Sequence, residues 1–130
     1  MQHSWIRYQL PAIGYMVFIF IMSSIPRLSL PDVGVRWEDK IAHLVEYLVL
    51  AFLLARAFYY QNWKSLTIRD AVRWAVVVAI VYGATDEFHQ YFVPGRFADV
   101  TDWVADSLGA FLGGVVAHRR LHLADQLSQN

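Results

Sequence analysis

The chain has 130 residues, of which 57% are hydrophobic and only 17% charged, and its mean hydropathy is +0.34. A soluble domain of this size needs a larger charged share to cover its surface, so the composition argues for a membrane protein and against a free globular one. Eleven Lys and Arg balance eleven Asp and Glu, which leaves no general attraction for nucleic acid, and the absence of Cys removes both a disulfide framework and thiolate chemistry.

Four apolar segments predict an all-α, polytopic membrane protein, a four-transmembrane-helix bundle forming one membrane domain over 1–130. The helices are expected over about 6–25, 41–60, 71–90 and 100–118, each close to the roughly 20 residues that cross about 30 Å of hydrocarbon. The first segment, with Arg7 before an apolar run and Met22-Ser23-Ser24 after it, also has the outline of a cleaved signal peptide. Three further spans and the small residues before Pro26 favour its retention as a helix.

In the second segment Asp39, His43, Glu46 and Tyr47 fall at offsets 0, 4, 7 and 8, on one helical face that turns apolar at Leu50 and Leu54. In the third, Gly83, Asp86, Glu87 and Gln90 fall at 0, 3, 4 and 7, near its end. The fourth begins with Asp99, Asp102 and Asp106 at 0, 3 and 7, and Gly109 and Gly113 continue that stripe. The GxxxG spacing of these glycines reads as close helix packing rather than as a dimer contact. Trp37, Trp63, Trp74 and Trp103 suit interfacial belts. His118 to His122, with Arg119 and Arg120, reads as an anchor beside anionic headgroups.

Connectivity gathers the polar stripes. The start of helix 2, the end of helix 3 and the start of helix 4 share one side of the membrane. Charges cost about 2.5 to 3.5 kcal/mol at the centre of a helix on insertion scales, so Glu46 and Asp106 should face partners or water. The expected arrangement is a polar chamber walled by helices 2, 3 and 4, with the Pro94-Gly95-Arg96 loop at its mouth. Arg7, Arg56, Lys64, Arg69, Arg73, Arg119 and Arg120 lie on the opposite side, against Arg27, Arg36, Lys40 and Arg96 on the chamber side. This bias predicts cytoplasmic N- and C-termini and an outward-facing chamber.

The segments Asp39-Lys40-Ile-Ala-His43-Leu-Val-Glu46-Tyr47, Gly83-Ala-Thr-Asp86-Glu87-Phe-His89-Gln90, Pro94-Gly95-Arg96 and Asp99-Val-Thr-Asp102-Trp-Val-Ala-Asp106-Ser-Leu-Gly109 together resemble the VanZ-like family. The resemblance runs from about Ser23 to Ala117. It implies a small integral protein of the bacterial cytoplasmic (inner) membrane with a cell-envelope role, and the founding type is associated with teicoplanin resistance. The family's polar positions fall here on Lys40, His43, Tyr47, Glu87, Gln90, Arg96, Asp99, Asp102 and Asp106. The family pattern often has Asn where this chain has Asp106, so an extra acid enters the chamber.

Several chemistries are drawable from these groups. Lys40, His43 and Arg96 suit a phosphate or carboxylate on an envelope lipid or lipid-linked cell-wall precursor, against the plainer pairing of Arg96 with Asp99 or Asp102. Crowded Glu46, Glu87, Asp102 and Asp106 suit proton transfer, against a static network holding the helices in register. His43-x-x-Glu46 and Asp86-x-x-His89 have metal-ligand spacing, but helical geometry meets it easily by chance. No metal and no cofactor is assigned. A Ser23 or Ser24 nucleophile with His43 and Asp39 lacks a nucleophile elbow. The first expectation is a binding protein for such a head group in the lipid bilayer, altering glycopeptide sensitivity, with a homo-oligomer left open. The alternative is an intramembrane hydrolase or transferase with Glu87 or Asp102 as base and His43 as acid. A proton-coupled transporter is disfavoured by the lack of an inverted repeat.

Overall fold

A computed structural model describes residues 5–26, 37–61 and 64–129. Arg27, Arg36 and Trp63, used above for orientation and for the aromatic belt, lie outside the described residues. Four α-helices carry the described residues: α1 (Leu10–Ser24), preceded by a π-helical turn over Trp5–Gln9, α2 (Trp37–Tyr59), α3 (Ile68–Gln90) and α4 (Val100–Ser128).

Apolarity locates these helices, and their polar ends extend beyond it. Glu38 and Asp39 occupy the first turn of α2, where carboxylates favour the positive end of the helix dipole. At α3 the Thr67 hydroxyl accepts the Asp70 N–H at 3.1 Å, a side-chain cap that starts the helix before its apolar run. Asp99 caps α4 by accepting the Thr101 N–H at 2.8 Å. No Gly or Pro interrupts the chain after Gly114, and α4 runs on past its apolar part to Ser128.

Ile6–Ser24, Trp37–Tyr59 and Val100–Ser128 are each long and apolar enough to cross a membrane. α3 has the length of α2, but Arg73 near its start and Asp86 with Glu87 near its end shorten its uncharged stretch.

The chain runs up and down. Gln9 Nε2 donates to the Ala57 carbonyl at 2.8 Å, which sets the start of α1 beside the end of α2. Glu87 accepts the Asp99 N–H at 2.9 Å, so the end of α3 meets the start of α4. α2 and α4 run parallel in close contact, with α3 antiparallel against both. α1 lies on α2 and α3 at the edge of the bundle, burying only Ala12, Ile19 and Ser23.

Small residues set the spacing of α2, α3 and α4. A Cβ built on Gly109 or Gly113 would overlap the carbonyl of Leu44 or Leu48 of α2. The core beside them is Leu50, Ala51, Leu54 and Ala55 of α2 with Ala75 and Ala79 of α3 and Ala110 and Ala117 of α4. With lipid outside as apolar as the core, such tight van der Waals contact and interhelical hydrogen bonds hold the helices together.

Candidate functional site

The polar stripes of α2, α3 and α4 meet at one end of the bundle and divide into two groups. The first is a paired network between the helices. Lys40 Nζ donates to Asp99 at 2.7 Å and to Asp102 at 2.5 Å, and His43 Nδ1 bonds Asp106 Oδ1 at 2.9 Å. His43 Nε2 lies 3.9 Å from Asp102 Oδ2. Asp106 is fully buried and Glu87 is 7% exposed.

This network leaves buried oxygens without partners. Among the described residues, Glu87 Oε1, Asp106 Oδ2, Asp86 Oδ1 and the Tyr47 hydroxyl have none. Gly83 makes the space for Asp106, because a Cβ there would come within 3.1 Å of Oδ2 and 3.2 Å of the Tyr47 ring. His43, Glu87 and Asp106 each bring one possible ligand atom within 4.8 Å of the others. That trio takes one residue from each of three helices, so no spacing within a single segment could have revealed it.

The second group lines an open pocket of about 330 Å³. Its walls are not those expected from the sequence: they come from α1, α2 and α3 rather than from α2, α3 and α4. Tyr15, Phe18, Ile19 and Met22 of α1 form an apolar side, with Ser23 at its end. Asp39, His43 and Glu46 of α2, Asp86 and Gln90 of α3, and Arg96 form the polar side. Charge stripes pointed away from α1 because its pocket face is apolar and looks like any membrane helix. Between α2 and α4 the carboxylates instead meet Lys40 and His43, Asp99 and Asp102 pairing with Lys40 and Asp106 bonding His43.

The expected site residues thus separate. His43, Gln90 and Arg96 reach the pocket, whereas Lys40, Tyr47, Glu87, Asp99, Asp102 and Asp106 do not line it. Gln90 Nε2 donates to Asp86 Oδ2 at 3.0 Å. Arg96 Nε and Nη2 turn to backbone rather than to Asp99 or Asp102. They donate to the carbonyls of Ile25 at 3.1 Å and Met22 at 2.6 Å, tying the loop to the end of α1. The Arg96 N–H bonds the Val93 carbonyl at 3.1 Å, and Gly95 has φ 75°. This is the arrangement of a type II turn with Pro94 and Gly95 at its centre.

The serine reading meets a different partner. Ser24 Oγ lies 2.9 Å from His89 Nε2, not beside His43, and it also donates to the Phe20 carbonyl at 2.6 Å. Ser23 donates to the same carbonyl at 3.0 Å.

At the loop, Lys40 and the Thr101 N–H hold the Asp99 carboxyl down from 3.8 to about 2. A depressed folded-state value contributes stability that is present above pH 3.8 and is lost as pH falls through about 2. Thermal midpoints in detergent should therefore fall across this acid window in the wild type. Asp99→Asn should start lower and show a flatter slope there; parallel slopes would place the acid sensitivity elsewhere.

Residues 8–122 match the family model described as VanZ/LLP1. No curated protein and no solved structure matches the chain.

Proposed function

The chain belongs to the VanZ/LLP1 family, and from that premise we propose a binding protein of the bacterial cell envelope. In this reading all four helices cross the cytoplasmic membrane, both termini face the cytoplasm, and the polar end opens outward. The ligand is the head group of an envelope lipid or lipid-linked cell-wall precursor. Changing the availability of that lipid is the route by which the protein would influence glycopeptide (teicoplanin) sensitivity.

The observation that carries this reading is the two-sided pocket. An apolar wall from α1 faces a polar wall from α2 and α3 within about 330 Å³, the pairing of surfaces that an amphiphile presents. Arg96 lies at the pocket edge, tied there by the Ile25 and Met22 carbonyls, and its positive charge favours a phosphate in the pocket. Asp39, Glu46 and Asp86 line the same pocket and would accept hydrogen bonds from sugar hydroxyls or an amine. Lys40, engaged by two carboxylates, supports the bundle beside this site.

Lipids retained by the protein after purification in mild detergent, identified by mass spectrometry, test the proposal. One phosphate-bearing lipid should be enriched over the membrane extract, and Arg96→Ala should reduce its retention about tenfold, the loss of roughly 1.4 kcal/mol. Retention that follows bulk membrane composition in both proteins would end the proposal.

One observation favours the enzymatic alternative. His43 lines the pocket while bonded to Asp106, as a general acid is held by an orienting carboxylate. Conversion of the retained lipid by wild type, with the unconverted lipid accumulating on Glu87→Gln or His43→Gln, would establish hydrolysis or transfer in place of binding alone.

A further inference from the structure

We propose that His43, Glu87 and Asp106 form a binding site for one divalent transition-metal cation of the zinc type, buried where α2, α3 and α4 meet. The site adjoins the head-group pocket through His43, which belongs to both, and its two carboxylates lie outside that pocket, so it stands whether or not a lipid binds there.

The first ground is convergence. One nitrogen and two carboxylate oxygens, from three different helices, lie within 4.8 Å of one another. Zinc takes imidazole nitrogen and carboxylate oxygen at about 2.0 to 2.2 Å. Donors sharing an ion at that range stand roughly 3 to 4 Å apart, so the trio closes on a cation through a contraction of about an ångström. Mixed imidazole and carboxylate donors suit zinc better than calcium or magnesium.

The second ground is independent of spacing. Asp106 is fully buried and Glu87 is 7% exposed, yet Asp106 Oδ2 and Glu87 Oε1 have no hydrogen-bond partner among the described residues. Each carboxylate's other oxygen is already used, Asp106 Oδ1 by His43 and Glu87 Oε2 by the Asp99 N–H. Buried carboxyl oxygens without partners are costly. Lys40, the nearby cation, is already shared between Asp99 and Asp102. A dication answers both orphaned oxygens at once. The bond from His43 Nδ1 to Asp106 Oδ1 orients the ring and leaves Nε2 as the ligand nitrogen, with Asp102 Oδ2 3.9 Å from it.

The test uses the full-length protein in detergent, stripped with a chelator and then titrated with Zn²⁺. Wild type should retain one zinc per chain after gel filtration and gain thermal stability from it. Glu87→Gln and Asp106→Asn should each weaken binding by about tenfold or more and lose the thermal gain. Should Asp106→Asn fail to fold, Glu87→Gln decides alone. The His118 and His122 rings, 4.5 Å apart on α4, are the competing source of zinc affinity, and His122→Ala should leave the bound zinc unchanged. Absence of zinc from wild type, equal binding by Glu87→Gln, or loss of zinc in His122→Ala overturns the proposal.

Discussion

Gly109→Leu is expected to abolish the folded monomer in detergent. At this position α2 and α4 touch through backbone, and even a single methyl would overlap the Leu44 carbonyl. A flexible side chain could swing aside, but a helix carbonyl within its hydrogen-bond ladder cannot. Overpacking costs about 1 to 3 kcal/mol where side chains can adjust, and about 3 kcal/mol or more is expected here for leucine. Gly109→Ala should show the same defect in milder form, about 2 kcal/mol. Gly14 supplies the contrast, since nothing lies within 4 Å of a Cβ built there. Gly14→Ala should be neutral or stabilise by up to about 1 kcal/mol through helix propensity. Unfolding in a denaturing detergent titration reads all three. A Gly109→Ala curve matching that of Gly14→Ala would show that the helices separate readily.

The second large effect is expected at Lys40. Its ammonium joins Asp99 and Asp102 across the α2–α4 seam, and the Lys40 and Asp102 side chains are each 15% exposed. Removing one partner of a mostly buried pair strands the other charge, at a cost of about 3 kcal/mol. Lys40→Met should therefore destabilise strongly, although methionine fills similar space. Adding Asp102→Asn should recover part of the loss, because it removes the charge left behind. Additive losses in the double variant would mean that the two residues act separately. The same unfolding titration, run as a double-mutant cycle, gives the coupling directly.

The helices and their polar end are legible in the sequence because each rests on local pattern. Asp39, His43 and Glu46 share a face by spacing, as do Asp102 and Asp106, and short connections bring those faces to one end. What spacing does not show is which face looks across at which. Lys40 follows Asp39 by one position, about 100° around the helix, and so turns toward α4 while Asp39 lines the pocket.

The α1 wall is hidden for a different reason. Phe18, Ile19 and Met22 carry no polar mark to set them apart from residues facing lipid. The trio of His43, Glu87 and Asp106 escapes a reading by segments because only packing brings its members within reach of one another. Helix ends, too, outrun the apolar pattern wherever polar residues continue a helix, as at Thr67 with Asp70 and along α4 to Ser128.

The glycine seam beyond Asp106 has a consequence for traffic. Where Gly109 and Gly113 bring α4 against the α2 backbone, the seam between these two helices is shut. A solute that reached Asp106 from the polar end would find no way onward along it, which makes this seam a blind alley.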